Sequence, residues 1–237
     1  MYPELFSIGK ITIYTYGVLV ALGFFIGMQY IAKYSKNIVT KQQVYDFLFY
    51  VILIGIIGAR LFYVMLDIPY YKSNPLEIFQ VWKGGLVYYG GFVAVLIFAF
   101  FYCRYKKINI IKLIDVFAPA LALGHSFGRI GCFFSGCCYG KSTDCFLAIS
   151  HKHPTQLYES LGNIIIFFIL HNLLKKSHKD GYVFVLYMLL YSILRFYVEF
   201  FRGDDRGTFI LGLSPAQNIS IVIFFIAMII LLMKNKK

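Results

Sequence analysis

Arg195 and Glu199 stand four residues apart in an otherwise apolar run, so a helix would carry them on one face. Arg129 lies in Gly128-Arg129-Ile130-Gly131, with no acidic residue within its own turn of chain and with flanking glycines that open access to the backbone. A guanidinium in such surroundings needs a carboxylate or an anionic ligand, because burying one alone is costly. The Arg195–Glu199 pair reads either as a structural ion bridge or as one side of an anion site. Arg129 moves the balance toward a ligand. Two guanidiniums with few carboxylates nearby have the forked donor geometry that holds a phosphate. Arg60, Asp115, Glu159 and Arg202 join this set of ionisable residues within or against apolar segments, and the whole set is expected toward one face of the membrane.

Cys132, Cys137, Cys138 and Cys145 fall close together, with His151 and His153 beyond them, whereas Cys103 is remote. Their C-x4-C-C-x6-C spacing does not match the paired C-x-x-C of a zinc site. A disulfide, between Cys132 and Cys137 or involving Cys145, small packing residues, and metal or redox chemistry all stay open. No metal and no cofactor are expected.

The elements that must position these groups follow from composition. Apolar residues make up 59% of the 237-residue chain, and the fraction is unchanged when its Gly are counted in place of its Tyr. Soluble proteins hold about 45–50%. Charged residues are only 14%, against the usual figure of about 25%. Disorder, a coiled coil and a secreted disulfide scaffold are excluded by the same figures.

Apolar runs long enough to cross a bilayer lie near 11–32, 44–66, 86–103, 109–127, 156–174, 181–200 and 214–233. The expected fold is therefore all-α, a single polytopic domain over 1–237 with seven transmembrane helices and an extracytoplasmic loop at about 128–155. The first run is too long for a signal peptide, carries Glu4 in place of a basic leader, and has no small-x-small cleavage site after it, so it is expected to remain as a helix. Gly55 and Gly58 suit close helix packing. Gly84, Gly85, Gly90 and Gly91 suit either packing or unwound backbone lining a cavity.

Twelve of the 23 Lys and Arg fall in four short pieces: Lys33, Lys36 and Lys41; Arg104, Lys106 and Lys107; Lys175, Lys176 and Lys179; Lys234, Lys236 and Lys237. The segments on the opposite side carry fewer basic residues per length and the balancing Asp67, Glu77, Asp144, Asp204 and Asp205. Short basic loops stay cytoplasmic, which sets the N-terminus outside and the C-terminus inside. The net charge of +12 is thereby explained by orientation and anionic headgroups, and a nucleic-acid partner loses its motivation. A retinal protein is disfavoured because the last span, 214–233, has no Lys for a Schiff base. A transporter is disfavoured because no two-half symmetry is visible.

Four blocks carry a family resemblance: Trp82-Lys83-Gly84-Gly85 running to Tyr89-Gly90-Gly91; Gly124-His125-Ser126-Phe127-Gly128-Arg129-Ile130-Gly131-Cys132-Phe133, closing at Gly140; His153-Pro154-Thr155-Gln156-Leu157-Tyr158-Glu159; and Arg195-Phe196-Tyr197-Val198-Glu199-Phe200-Phe201-Arg202. In this order they resemble the bacterial prolipoprotein diacylglyceryl transferases over nearly the whole chain. The resemblance implies an enzyme of the bacterial cytoplasmic membrane that moves the diacylglyceryl group of phosphatidylglycerol to the lipobox cysteine of a preprolipoprotein and releases glycerol phosphate. The alternative is a related membrane lipid transferase with another acceptor. It further implies that Arg129 and Arg195 hold the phosphate, that Glu199 orients Arg195, and that Tyr16, Arg60, Asp115 and Arg202 lie near the site. Gly140, His153, Gln156 and Glu159 are expected to help bind substrate, the last three at the entry to the fifth span.

The departures bear on the base. The best-known members of that family run Gly-Arg-Ile-Gly-Asn and then place an acidic residue three positions before the closing glycine; Cys132 and Cys137 stand there in this chain. The His that precedes the paired glycines is Tyr89. An unassisted Tyr, with a pKa of about 10, is a poor base at neutral pH. Either the arginines activate the acceptor thiol directly, or Arg129 tunes Tyr89, or His125 or His153 serves.

Overall fold

A computed structural model describes residues 2–9, 11–204, 207 and 212–235. Asp205, Lys236 and Lys237, which enter the charge argument above, lie outside the described residues. The chain opens with strands β1 (Glu4–Ile8) and β2 (Ile11–Tyr14), paired antiparallel through a turn at Gly9, whose φ is +61°. The first apolar run was expected to be helical from residue 11. Ile11-Thr12-Ile13-Tyr14 is instead a β-branched and aromatic stretch that favours a strand. The all-helical expectation is corrected to that extent.

The helices are α1 (Thr15–Tyr34), α2 (Lys41–Leu66), α3 (Ile68–Ser73), α4 (Tyr88–Tyr105), α5 (Ile110–Phe134), α6 (Thr155–Leu174), α7 (Tyr182–Phe200) and α8 (Pro215–Asn235). All but α3 are long and apolar enough to cross a membrane. Only 17–44% of each such span is buried, least in α4 and most in α5, so most apolar side chains face outward as a lipid solvent requires. α5 runs on to Phe134, seven residues past its expected end. The loop expected from 128 therefore begins only at Ser135, and Gly128 and Gly131 are helical.

The chain divides into two compact units, residues 1–31 with 114–237, and residues 32–113. In the first, Ala118 and Ala122 of α5 pack on Ile166 and Leu170 of α6 and Val183 of α7. Val185 of α7 meets Ala227 and Leu231 of α8. α1 crosses α5 at Gly23, where a Cβ would stand 2.8 Å from Cβ of Phe127 and 3.1 Å from the Gly124 oxygen.

In the second unit, α2 begins with a reciprocal capping box of Thr40 and Gln43. It then packs against α4 through facing glycines: a Cβ on Gly58 would lie 2.9 Å from the Gly90 oxygen, and one on Gly91 would lie 2.7 Å from the Gly55 oxygen. Gly84 and Gly85 differ from Gly90 and Gly91, since their φ values of +87° and +72° make the unwound turn before α4. Both readings of that glycine group are thus realised, at different positions.

Candidate functional site

Three helices of the first unit bring charge to one end. Arg129 lies in the last two turns of α5, Glu159 in the second turn of α6, and Arg195 and Glu199 in the last turns of α7. Glu159 is fully buried. Its Oε2 stands 3.1 Å from Nε of Arg129 and 3.9 Å from Nη1 of Arg195, while its Oε1 accepts a hydrogen bond of 3.2 Å from the Tyr191 hydroxyl. His125 Nε2 is 3.6 Å from the same Oε1. Arg195 Nη2 pairs with Glu199 Oε2 at 2.6 Å, as the four-residue spacing predicts, and Ser214 donates to Glu199 Oε1 at 2.8 Å.

The chain of contacts continues outward. Arg202 Nε is 3.7 Å from Glu199 Oε2, and its fork donates to both oxygens of Asp204 at 2.8 and 2.7 Å. Burial works against the Arg202 charge, but the bidentate Asp204 and the nearby Cys138 outweigh it and raise the Arg202 pKa. Three guanidiniums are therefore matched by three carboxylates, which corrects the premise that carboxylates are scarce around Arg129 and Arg195. The matching is uneven in geometry. Arg129 meets Glu159 through Nε, and no hydrogen bond joins its two Nη groups to any described residue, while 15% of its side chain is exposed.

The segment between α5 and α6 is tied to this end by backbone. Gly140 N donates to His153 O at 3.0 Å, Lys141 N to Phe201 O at 2.8 Å, and Gly203 N to Tyr139 O at 3.1 Å. A Cβ on Gly140 would stand 2.4 Å from the His153 oxygen, so that crossing requires glycine. Gln156 Nε2 donates to Cys137 O at 2.6 Å and Thr155 Oγ1 to Cys138 O at 2.8 Å. The His153 Nδ1 lies 3.2 Å from the Tyr158 hydroxyl. His153 and Gln156 also line a cavity of about 350 Å³ with Phe133, Gly136, Tyr139 and Lys152.

All five cysteines are free thiols, so of the alternatives left open by the sequence the disulfide, between Cys132 and Cys137 or involving Cys145, is not formed. The sulfurs of Cys132, Cys137 and Cys138 lie within 4.8 Å of one another. A hydrogen bond from the Cys132 thiol, assisted by Arg202 and Cys137, holds the Cys138 thiol down to about 4, while burial pushes Cys137 up.

Of the other expected site residues in the first unit, Tyr16 and Asp115 lie at opposite ends of α5. Tyr16 of α1 packs on α5 one turn from the cysteines, where a Cβ on Gly131 would be 3.0 Å from Cδ2 of Tyr16. Asp115 is at the opposite end of α5, about 21 Å from Arg129 along the axis at 1.5 Å per residue. It is buried there, accepting from Gly181 N at 2.6 Å and Phe184 N at 2.8 Å, with His178 Nε2 at 3.7 Å. Its carboxylate caps the start of α7, which corrects its placement among the Arg129 cluster. Lys179 and Lys234 each donate to backbone oxygens near that same end, at Lys234 O and Asp180 O.

Arg60 and Tyr89 belong to the second unit. Arg60 is buried and donates to the carbonyls of Ile78 and Gly84 at 2.9 Å, Gly85 at 3.1 Å and Glu77 at 2.5 Å. Its donors thus organise the segment before α4. Tyr89 is largely exposed and meets Tyr88 edge-to-face at 5.7 Å.

Tyr191, Asp204 and Ser214 were not anticipated as members of the cluster. Tyr191 had a signal in the sequence, because it precedes Arg195 by the same four residues that separate Arg195 from Glu199.

Fold and site together define a multi-pass membrane protein with a buried guanidinium–carboxylate network at one end of its helices. The family model described as prolipoprotein diacylglyceryl transferase matches residues 3–233. The phosphatidylglycerol–prolipoprotein diacylglyceryl transferase of Clostridium tetani is 35% identical over 242 residues, covering 97% of this chain and 96% of its own length. The enzyme of that name from Finegoldia magna is 39% identical over 238 residues, covering 98% and 95%. That from Staphylococcus haemolyticus is 34% identical over 253 residues, covering 99% and 89%. The chain belongs to the prolipoprotein diacylglyceryl transferase family.

Proposed function

We propose that the chain transfers the diacylglyceryl group of phosphatidylglycerol to the lipobox cysteine thiol of a preprolipoprotein, in the cytoplasmic membrane of a bacterium. The observation that carries this reading is the Nη edge of Arg129, hydrogen-bonded to none of the described residues, beside a second guanidinium that shares its carboxylate. A fork of two N–H donors on a partly exposed arginine matches the oxygens of a phosphodiester. As the glycerol carbon–oxygen bond breaks, negative charge grows on the leaving phosphate, and donors already in position stabilise it without reorganising. Glu199 holds Arg195 in place, Glu159 sets the spacing of the two guanidiniums, and Arg202 steadies Glu199.

The same reading sets the N-terminus outside and the C-terminus in the cytoplasm. The ends of the first unit support it: basic Lys179 and Lys234 meet at one, and the arginine network occupies the other. The two units act as one polytopic domain over 1–237, in keeping with a family match across both. Gly140, His153 and Gln156 shape the loop beside the network, and Tyr16 its α1 side, for donor and acceptor. Cys132, Cys137 and Tyr89 replace polar side chains of better-known relatives. Tyr89 is accordingly a candidate for proton transfer.

The test is transfer of label from glyceryl-labelled phosphatidylglycerol to a lipobox peptide by the purified protein. Labelled peptide is the expected product, with a Ser-for-Cys peptide left unlabelled. Donor consumed without peptide labelling would point to another acceptor, and an inert protein that is folded would overturn the proposal.

A further inference from the structure

The three clustered thiols have no part in holding the phosphate, and the way they come together is specific. α5 ends in a six-residue cap in which Gly136, at φ +73°, donates to Phe133 O at 3.1 Å while Cys137 donates to Cys132 O at 3.3 Å. This cap folds the sixth residue back over the first, so Cys137 lies against Cys132. Cys138 follows at φ +62°, a left-handed conformation that residues with a Cβ seldom adopt, and its sulfur turns toward the other two. The peptide carrying both cysteines is clamped by Gln156 and Thr155 through the Cys137 and Cys138 carbonyls. Three sulfurs within 4.8 Å of one another on a clamped turn form a convergent donor set. A tetrahedral zinc centre with bonds of about 2.3 Å spaces its sulfurs by about 3.8 Å, which small side-chain rotations reach from here.

The surroundings suit such a centre. Three thiolates around a divalent cation carry a net charge of −1. The Arg202 guanidinium is close enough to Cys138 for the two charges to act on each other, and Arg129 stands three residues before Cys132 on α5. Cations beside ligating sulfurs offset their charge. Among the described residues, no fourth His, Cys, Asp or Glu donor joins the three within that distance. Three protein ligands with one position left over is the arrangement of catalytic zinc, whereas structural zinc is closed by four.

We propose that Cys132, Cys137 and Cys138 bind Zn(II) as three thiolates and leave the fourth position to the thiol of the acceptor cysteine. The inference rests on the thiol-alkylating activity proposed above. A thiol that binds zinc loses its proton, here to water, and stays nucleophilic as a thiolate. Its sulfur then attacks the glyceryl carbon. One carbon–sulfur bond forms, one carbon–oxygen bond breaks, and the electron pair leaves on the phosphate oxygen facing Arg129 and Arg195. Nothing is oxidised or reduced. The centre thereby supplies the activated thiolate without a separate general base.

Full-length protein purified in detergent without chelator is expected to carry one zinc per chain by elemental mass spectrometry. Cys137→Ser and Cys138→Ser should lose it, Cys145→Ser should keep it, and Cys137→His should restore binding with altered spectra. Replacement by Co(II) should give a sulfur-to-cobalt charge-transfer band. A lipobox peptide should shift the cobalt spectrum, and the same peptide with Ser for Cys should not. Absence of metal after incubation with Zn(II), with all three thiols titrating freely or two of them oxidised to a disulfide, would overturn the site. Bound cobalt blind to the cysteine peptide would overturn its role toward the acceptor. Undiminished transfer by metal-free protein would refute this inference and leave the transferase reading standing. Bound zinc in a protein that transfers nothing would instead count against the transferase reading.

Discussion

Oε2 of Glu159 stands 3.1 Å from Nε of Arg129, although thirty residues of chain separate the two side chains. With Glu159 fully buried, loss of its charge would leave Arg129 without its carboxylate partner, while Arg195 would keep Glu199 at 2.6 Å. Glu159→Gln is expected to destabilise the protein by about 3–5 kcal/mol. The double variant Glu159→Gln/Arg129→Gln should lose less than the sum of the singles, because the pair is coupled. Reversible unfolding in mixed detergent micelles measures both; strict additivity would mean that the contact contributes nothing.

Arg129→Ala and Arg195→Ala should each slow diacylglyceryl transfer by on the order of 10²–10³-fold, the loss seen when one pre-positioned donor to a developing anion is removed. Arg195→Lys should fail as well, since an ammonium cannot engage Glu199 and a phosphate as a planar fork does. Initial rates with labelled phosphatidylglycerol decide it. Near-normal turnover in either alanine variant would remove that arginine from the phosphate site.

Asp115→Asn tests the opposite end of α5. The carboxylate receives two backbone N–H groups that start α7, and weakening them is expected to lower stability by about 1–3 kcal/mol. The donor KM of the folded fraction should stay unchanged. A raised KM at undiminished stability would return Asp115 to the substrate.

Two glycines of the signature should respond in opposite ways. Gly128 is helical and a Cβ there would have nothing within 4 Å, so Gly128→Ala should raise stability by about 0.5–1 kcal/mol. At Gly140 the added carbon would collide with the His153 and Phe201 oxygens. Gly140→Ala should therefore disrupt the crossing that holds Arg202 and reduce the yield of folded protein. Equal tolerance at both positions would contradict the packing.

Thiol chemistry gives a pH signature. In chelator-treated protein, Cys138 should alkylate readily at a pH near 6, whereas Cys137 should need alkaline conditions. Cys138 has a folded pKa of about 4, below the value of about 8.5 for an ordinary thiol. Its thiolate contribution to stability is therefore complete above that ordinary value and lost as pH falls through the folded one. Peptide mapping after iodoacetamide at several pH values reads this directly; parallel profiles for the two cysteines would refute it.

Much of this arrangement is legible from residue order. Runs of about twenty apolar residues announce spans whatever their neighbours do, so all seven lie close to their expected bounds. The errors fall where a local preference competes, as at Ile11–Tyr14, or where nothing stops a helix, as at 128–134. Arg195 and Glu199 declare their pairing by spacing. Glu159 and Arg129 cannot, because only the packing of α6 on α5 joins them.

Asp115 was misplaced because polarity alone does not say which end of a span a residue occupies. Its position soon after Lys106, Lys107 and Lys112 was the clue. The three-thiol cluster escaped the spacing rule because a helix cap brings residues i, i+5 and i+6 together where a zinc knuckle uses i and i+3.

The arginines of the first unit arrive already furnished with counterions: Arg129, Arg195 and Arg202 alternate with Glu159, Glu199 and Asp204. Insertion and assembly of this unit therefore need not wait for phospholipid. On the proposed reading a headgroup would meet a finished receptacle and take its place beside an incumbent carboxylate, and once the product had departed that carboxylate would keep the vacated cations at rest until the next donor.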